Sequence, residues 1–298
     1  MKFHQLRALI AIADSGSIHE AAKVLHISQP ALSKSVKELE ADLGVPLLVR
    51  SNRGITITPY GERLLGRARL ILGETRRARD DLESLRGSLH GRVAIGVSPV
   101  TPSKAFVQCI QRYRRRHPAI QLQISELRPA HLLAGMREGA LDLVLTSQPP
   151  HRSMEGFEWR KLYEQGTVLA VRQGHPQAGA RRLEALMDEE WLVPDSLDIS
   201  LAGVMFRNNG LPMPQRVIEC SSLMLYAEMA MTLGAVSFWS QRTFVESMQA
   251  RNMQALDLVD PIPSTDISLV YRPSALMTPP AQILVDDLLD AYRNASAR

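Results

Sequence analysis

A short polar run between residues 28 and 37 carries the side chains best suited to recognise another molecule. It combines hydroxyl, amide and amine groups around a proline, and its members are Ser28, Gln29, Pro30, Ser33, Lys34 and Lys37. A glutamine can bond adenine through two hydrogen bonds, serine is permissive, and lysine suits guanine or a phosphate. Such a set can recognise DNA if it lies at the start of a helix that enters the major groove.

Apolar residues around this run predict two short helices joined by a tight turn, which is a helix-turn-helix. The first helix follows Ser17 and contains Ala21-Ala22, where another helix can pack closely. The second begins after Ser28, a good helix cap, with Pro30 in its first turn. Its buried stripe would consist of Ala31, Leu32, Val36 and Leu39. The alternative is an exposed amphipathic helix whose polar residues have no special role.

Residues 45–58 favour the DNA interpretation. Two apolar, β-branched runs flank Ser-Asn-Arg-Gly, which is a hairpin signal, and Arg50 and Arg53 flank its tip. A basic hairpin that follows a helix-turn-helix is a wing, and its arginines would contact phosphates or the minor groove.

From Thr58 to about Arg86 the pattern is helical again, with apolar and small residues at alternating spacings of four and three. The members of this seam are Leu64, Ala68, Ile71, Thr75, Ala78, Leu82 and Leu85. The arginines lie outside it, at Arg63, Arg67, Arg76, Arg77 and Arg79. Such a heptad seam is typical of a coiled coil. We therefore predict that the helix dimerises the chain, since a seam of this length rarely packs on its own domain.

The charge distribution separates this N-terminal segment from the remainder of the 298 residues. Residues 1–90 contain 14 basic and 10 acidic residues, whereas residues 91–298 contain 21 of each, so the net charge of +4 belongs to the first segment. A basic segment on a neutral body indicates a nucleic-acid module joined to something else.

Other features of composition exclude several classes. Cys109 and Cys220 are far apart without metal-ligand spacing, so we expect free thiols in a reducing cytoplasm. The sequence has neither a signal-peptide pattern nor an apolar run of about 18 residues, which predicts a cytoplasmic protein without membrane contact. It also lacks Gly-x-Ser-x-Gly, phosphate-loop, His-Glu-x-x-His and cysteine-cluster motifs, so we expect no enzyme, metal or cofactor.

The first 65 residues resemble the LysR-type transcriptional regulators. The residues that carry the resemblance include Leu6-Arg7-Ala8-Leu9, Gly16-Ser17, Ala21-Ala22, Ser28-Gln29-Pro30-Ala31-Leu32-Ser33, Leu43-Gly44, Arg50 and Arg53-Gly54. The resemblance implies that Gln29, Pro30, Ser33 and Lys34 lie at the groove and that both arginines lie in the wing. It further implies a homodimer that pairs into a tetramer on double-stranded operator DNA and contacts RNA polymerase.

The body, residues 91–298, alternates eight predicted strands with helices, which indicates βαβ units and a mostly parallel sheet. It resembles the effector domain of the same family at Phe106, His117-Pro118, Gly139 and Leu141-Asp142-Leu143. The resemblance implies a two-lobed α/β fold like that of periplasmic binding proteins. The expected domains are a winged helix-turn-helix (1–58), a linker helix (59–87) and an effector domain, with lobe I at 91–161 and 268–298 and lobe II at 162–267.

Ligands of open α/β sheets lie beyond the carboxyl ends of the strands. In the first lobe this rule selects Ser98, Thr101, Thr146 and Ser147, and in the second it selects Ser196 and Ser200. Ser98 and Thr101 would sit at a helix N-terminus, which favours an anion, so a small organic acid is a reasonable effector. The alternative is that these residues merely cap helices and form turns.

One segment departs from the family. Where the family often has a glycine-rich run ending in proline, residues 233–240 place Phe238 and Trp239, and Ser240 takes the usual proline position. The bulky pair could reshape the pocket for an aromatic ligand or could simply repack the lobe. Two other functions, a transporter's solute-binding protein and an architectural DNA-binding protein, fit less well. A solute-binding protein would have no use for the basic N-terminal segment. An architectural DNA-binding protein would not need the neutral α/β body.

Overall fold

The computed structural model describes residues 1–51, 54–85, 89–99, 101, 103–147, 156–198, 200–248 and 252–296. The N-terminal head consists of α1 (Phe3–Ser15), α2 (Ile18–Val24), α3 (Gln29–Leu43) and a hairpin of β1 (Leu48–Ser51) and β2 (Gly54–Ile57). The predicted winged helix-turn-helix is confirmed. The linker helix α4 (Pro59–Leu85) follows directly.

Side-chain caps set the helix boundaries of the head. The hydroxyl of Ser17 accepts the Glu20 N–H at the start of α2, and that of Ser28 accepts the Ala31 N–H at the start of α3. Each bond satisfies a donor that the first helical turn leaves free. Gly16 and Gly44 end α1 and α3 in the left-handed conformation that glycine adopts without strain.

The head has its own apolar core, so it is a domain and not an extension of the body. One cluster joins α1, α2 and α3 through Ile12, Ala21, Leu32 and Val36, with their neighbours. A second cluster joins Leu9 of α1 and Leu39 of α3 to two residues outside the three helices. These are Leu47, which precedes the wing, and Leu65 in the first turns of α4. Burial of these side chains fixes the orientation of α3 within the head.

The body contains the remaining elements. In chain order they are β3 (Gly91–Val97), α5 (Lys104–Arg116), β4 (Ile120–Glu126), α6 (Pro129–Arg137), β5 (Leu143–Ser147), β6 (Glu158–Gln165), β7 (Thr167–Arg172), β8 (Trp191–Val193), α7 (Leu201–Asn208), β9 (Val217–Glu219), α8 (Leu223–Leu233), β10 (Val236–Ser240), α9 (Gln241–Thr243), β11 (Met253–Ala255), β12 (Thr265–Tyr271) and α10 (Pro279–Ser296). They form two five-stranded sheets, one in each lobe.

The sheet of lobe I has the strand order β4-β3-β5-β12-β6, and that of lobe II has the order β11-β7-β10-β8-β9. In lobe I the β3, β4 and β5 strands are parallel, but β12 runs antiparallel to both of its neighbours. In lobe II β8, β9 and β10 are parallel, and β7 runs antiparallel to both of its neighbours, β10 and β11. In each sheet four strands therefore run in one direction and one strand, β12 or β7, runs in the other, because that strand enters from the opposite lobe. The predicted mostly parallel sheet did not include this reversed strand.

The crossings also move the predicted lobe boundaries. All of β6 pairs with β12 in lobe I, so this lobe extends to Gln165 and not to residue 161. The return crossing precedes Thr265, and lobe II spans about 166–264. The sequence did not predict β6, because an edge strand with polar residues on both faces lacks the alternation of a half-buried strand.

Within the described residues, no helix combines the length and apolarity needed to cross a membrane.

Candidate functional site

The first turns of α3 form an open polar surface. Gln29, Pro30, Lys34 and Lys37 are exposed together with Ser28, while Ser33 is half-buried. The Lys34 ammonium lies 3.9 Å from Glu38 and keeps 79% of its side chain exposed. This ion pair leaves the lysine free to meet another anion, because exposed pairs contribute little stability. The polar groups predicted to recognise DNA thus lie on one accessible helix start.

The wing packs against the core of the head. Antiparallel pairing aligns Leu48 with Ile57 and Arg50 with Ile55, in the register of a tight hairpin. Leu48 and Ile55 pack against the helical core, which holds the hairpin beside α2 and α3. Arg53 and the side chain of Arg50 lie outside the described residues, so their contact with DNA stays a prediction.

The linker helix α4 does not present one continuous seam. Ala68 is fully buried, because the first half of α4 packs on α1, and Leu64 is half-buried there. Ile71 and Thr75 are half-buried, whereas Ala78 is exposed and Leu82 keeps 64% of its surface in solvent. The side chain of Leu85 lies outside the described residues. The expectation that this helix would not pack on its own chain was wrong, and Ala68 is not available to a partner.

The second half of α4 docks on lobe I through buried charges. Arg77, which lies outside the predicted seam, is only 4% exposed. Its Nη1 donates to the Asp142 carboxylate at 3.0 Å and to the Gly139 carbonyl at 3.3 Å. The other oxygen of Asp142 accepts the Ala94 N–H at 2.8 Å. A buried carboxylate with these donors is paired on both sides, as buried charges require.

Two further residues extend this contact. Arg272, at the end of β12, donates to the Met136 carbonyl and to Glu74 of α4, and Arg77 also donates to Glu74. Burial alone would raise the pKa of Glu74, but the hydrogen bond from Arg77 and the two guanidinium charges outweigh it and hold the pKa below its ordinary value. These charges attach the C-terminal end of α6 to the linker helix.

Arg69 connects all three parts of the chain. One terminal nitrogen lies 2.5 Å from Asp14 of α1, and the other lies 2.9 Å from Glu138 just after α6. A single side chain of the linker helix thus contacts the head and lobe I at once.

The predicted effector residues of lobe I come together at the carboxyl edge of its sheet. The Leu145 carbonyl accepts the Ser98 N–H at 2.9 Å and the Thr101 hydroxyl at 3.4 Å, and Thr146 is the next residue of β5. All three are buried. The Thr101 hydroxyl is used internally, since it also donates to the Ser98 carbonyl, but Ser98 Oγ and Thr146 Oγ1 have no hydrogen-bond partner in the described part of the chain.

The remaining predicted residues are placed differently. Ser147 is half-buried at the end of β5. Ser200 caps α7 by accepting the Gly203 N–H, so its hydroxyl has a structural role. The cap of α5 is Ser103 and not Thr101, so Ser98 and Thr101 do not form the helix N-terminus that was expected. Ser196 is half-buried and follows Asp195, which lies 3.6 Å from Arg128 of lobe I. This ion pair spans the cleft between the lobes.

The sequence interpretation missed two residues beside the cleft. Tyr163 of β6 donates its hydroxyl to the Thr101 carbonyl at 3.3 Å, and the guanidinium of Arg242 lies 4.8 Å from the centre of its ring. Burial raises the pKa of Tyr163, although the charge and hydrogen bond of Arg242 oppose the shift. The rule that selects residues after parallel strands could have found Arg242, because it follows β10 by two positions.

The unusual segment 233–240 belongs to the core of lobe II. Phe238 packs among the residues of one apolar cluster, and Trp239 stacks edge-on against Tyr226 in another. The Trp239 ring N–H donates to Ser237. Ser240 then caps α9 by accepting the Thr243 N–H. Of the two alternatives, repacking of the lobe agrees with the structure.

Comparison with known proteins agrees with both parts of the fold. Residues 3–62 match the family described as "Bacterial regulatory helix-turn-helix protein, lysR family", and residues 86–293 match the LysR substrate binding domain. The chain is 29% identical over 305 residues to a probable hydrogen peroxide-inducible genes activator of Streptomyces viridosporus, covering 99% of this chain and 95% of that protein. It is 30% identical over 227 residues to the regulator GbpR of Azospirillum brasilense, covering 74% of this chain and 66% of that one.

Among solved structures, the fold is similar to that of CbnR, a LysR family transcriptional regulator. The TM-score is 0.67 at 23% identity, and the match covers 98% of this chain and 99% of CbnR. CbnR has also been solved in complex with its target DNA, and that structure matches with a TM-score of 0.52 at 23% identity over 98% of this chain and all of the other. The head, the linker helix and the two-lobed body identify this chain as a member of the LysR family, a DNA-binding transcriptional regulator with an effector-binding domain.

Proposed function

We propose that this regulator recognises its operator with the start of α3 and responds to a small organic anion held between the two lobes of its body. The observation that carries the effector assignment is the pair of buried hydroxyls on Ser98 and Thr146, for which the described part of the chain offers no hydrogen-bond partner. Both lie at the carboxyl edge of a largely parallel β3-β4-β5 unit, where α/β proteins bind ligands. Thr101, Ser147, Ser196 and Ser200 complete the proposed lining.

Operator binding would use two kinds of contact. Gln29, Ser33 and Lys34 would bond base edges in the major groove, while Lys37 and the wing arginines Arg50 and Arg53 would contact the backbone. Ser28 and Pro30 would set the start of the helix that enters the groove. Each neutralised phosphate releases counterions, so the affinity should fall steeply with salt.

Two heads are needed to read a two-part operator, and we assign their pairing to the exposed part of the linker helix. Ala78 and Leu82 are its accessible seam residues, with Leu64, Ile71 and Thr75 partly covered and Leu85 beyond them. We further propose that two dimers join into a tetramer through their bodies and that the assembly contacts RNA polymerase, acting in the cytoplasm where the operator is.

The effector can act only through unequal affinity for two arrangements of the lobes. An unpaired buried hydroxyl costs about 1–3 kcal/mol, and a ligand oxygen that accepts from Ser98 and Thr146 recovers this free energy. An anion that also contacts lobe II would favour the closed arrangement. Because α4 docks on lobe I through Arg77, a change in lobe I reaches the linker helix and the spacing of the heads.

The name of the Streptomyces relative suggests peroxide as a second candidate signal, but the cysteines do not favour it. Thiolates, not thiols, react with oxidants. Cys109 is buried in lobe I, and burial, with the charge of Asp287, raises its pKa to about 11. Cys220 is half-buried in lobe II, so the two thiols do not share a lobe.

The effector assignment can be tested by thermal unfolding of the full-length protein, followed by tryptophan fluorescence. The probes are acetate, succinate and benzoate, each compared with its uncharged amide. At 100 times its dissociation constant a ligand stabilises the native state by about 2.7 kcal/mol, which gives a measurable rise in Tm. We expect at least one carboxylate to raise the Tm.

The same carboxylate should lose at least half of its effect on a protein with Ser98→Ala and Thr146→Val, which remove the two hydroxyls with little change in volume. Ser125→Ala, on the edge strand β4, is the matched control and should respond like the wild type. If no carboxylate raises the Tm, or if the double variant responds fully, the effector assignment is wrong.

A further inference from the structure

We infer that Arg242 binds the negatively charged group of the effector and that this arginine makes the cleft selective for carboxylates over neutral molecules of the same shape. The inference rests on the proposed function, because it assigns a charge-recognising residue to the same cleft. It goes further in placing the decisive contact on lobe II, at a residue that no motif singles out.

The position of Arg242 follows from the strand order of lobe II. It lies in α9, which begins directly after β10, and β10 is parallel to its neighbour β8. The carboxyl ends of both strands therefore meet at one edge of the sheet. Ser196 follows β8 at this edge and Arg242 follows β10, so the arginine shares the edge at which ligands are expected.

Local bonds hold α9 at the crossing between the lobes. Ser240 caps the helix, and the Gln241 N–H donates to the Gly166 carbonyl at 2.8 Å. Gly166 separates β6 of lobe I from β7 of lobe II. A side chain on α9 can therefore contact lobe I while its backbone belongs to lobe II.

Arg242 makes that contact through Tyr163. Its guanidinium carbon lies 4.8 Å from the ring centre, which is the geometry of a cation–π interaction. The hydroxyl of Tyr163 bonds the Thr101 carbonyl at 3.3 Å, and Thr101 bonds the carbonyl of Ser98. Arg242 is thus linked through one aromatic side chain to Thr101, which bonds the backbone of Ser98, one of the two residues whose hydroxyls are proposed to bind the effector.

The charge of Arg242 has no anionic partner among the residues that the structure describes. Within the described residues no carboxylate oxygen lies within 4.0 Å of its nitrogens, and its Nη1 is buried without a hydrogen bond. The other arginine beside the cleft differs, since Arg128 is paired with Asp195. The buried Nη1 is a costly donor to leave without an acceptor, and a carboxylate supplies the missing charge and the missing acceptor together.

These observations define what the ligand must offer. Its carboxylate would bond the planar fork of Arg242, and a second polar atom would accept from the hydroxyls of Ser98 and Thr146. Such a ligand touches both lobes, so its binding free energy favours their approach. A neutral amide of equal shape would leave the guanidinium unpaired and would bind weakly.

The experiment uses the full-length protein and the carboxylate that gives the largest rise in Tm, with its dissociation constant measured by isothermal titration calorimetry. We expect Arg242→Gln to weaken binding by at least tenfold and Arg242→Lys, which keeps the charge but loses the planar fork, to weaken it less. Arg160→Gln is the matched control, because Arg160 lies on the same strand as Tyr163 but is exposed and paired with Glu158. It should bind like the wild type.

The outcomes separate this inference from the proposed function. If the carboxylate binds Arg242→Gln as tightly as the wild type but loses affinity for the Ser98→Ala, Thr146→Val protein, the cleft stands and the role of Arg242 is overturned. Equal binding of the carboxylate and its amide by the wild type also overturns it. If the wild type binds none of the carboxylates, both proposals fail. Should Arg242→Gln not fold, Arg242→Lys and the comparison of acid with amide decide the question.

Discussion

The attachment of the linker helix to lobe I gives the sharpest stability prediction, through the buried pair of Arg77 and Asp142. Replacing Arg77 with methionine keeps an unbranched chain of similar length but removes the charge. Asp142 would then remain buried as a carboxylate with the Ala94 N–H as its hydrogen-bond donor. Breaking a buried ion pair on one side costs about 3–5 kcal/mol. The charges of Arg272 and Arg92 also act on Asp142, so we expect a cost at the lower end of this range.

The buried pair also sets the sign of the stability change caused by a second substitution. Asp142→Asn removes the buried charge while its side-chain oxygen can still accept from Ala94. In the wild-type background this change should destabilise, because it weakens the bonds to Arg77. In the Arg77→Met background it should stabilise, because it removes the unpaired carboxylate. The interaction free energy of the pair should therefore exceed about 1.5 kcal/mol, well above the error of additivity for independent sites.

Urea unfolding of the four full-length proteins measures the global effect, and hydrogen–deuterium exchange of segments 70–85 and 91–97 measures the local one. Arg79→Met is the matched control, since Arg79 lies on the same helix and is exposed. It should change the free energy of unfolding by less than about 0.5 kcal/mol. If Asp142→Asn destabilises equally with and without Arg77, the two residues are not coupled and the docking of α4 through buried charge is refuted.

Two further predictions concern DNA binding and assembly. Gln29→Ala should weaken binding to an operator selected in vitro by about 1–3 kcal/mol and leave binding to random duplex unchanged. Gln111→Ala, an exposed glutamine on α5, serves as its control, and an equal loss on both DNAs in a mobility-shift assay would argue against base recognition by Gln29. Leu82→Asp together with Ile71→Asp should give single-head binding and a smaller sedimentation coefficient, because a charge in an apolar seam opposes pairing. An unchanged oligomer in sedimentation would mean that α4 is not the interface.

The secondary structure of the head could be predicted from residues that are close together in the sequence. Ser17, Ser28, Gly16 and Gly44 act within a few residues of their own positions, through caps and a permitted backbone conformation. The helix boundaries and the exposed side chains of Gln29, Lys34 and Lys37 were therefore predictable. The wing was predictable for the same reason, because a hairpin turn and its two flanking runs are neighbours in the chain.

Features that depend on distant partners were predicted less well. The seam of α4 appeared continuous because its spacing is regular, but α1 covers Ala68 and lobe I covers Arg77. The reversed strands β7 and β12 gave no local sign of their direction, since each enters its sheet from the other lobe. Cap residues such as Ser103 and Ser200 carry the same hydroxyl group as ligand-binding serines. Only their hydrogen bonds to the first turn of a helix distinguish them.

The sequence by itself determined the class of the protein, its DNA-reading helix and the presence of an α/β effector domain. These follow from the periodicity of apolar residues, from capping and from charge, all of which act over short separations. Tertiary structure alone decided which groups remain unpaired. Ser98, Thr146 and Arg242 are separated by up to 144 residues, and nothing in their local sequence reports whether a partner satisfies them. Whether a polar group can bind a ligand depends on what the folded chain leaves beside it, because burial removes water and makes each missing partner costly.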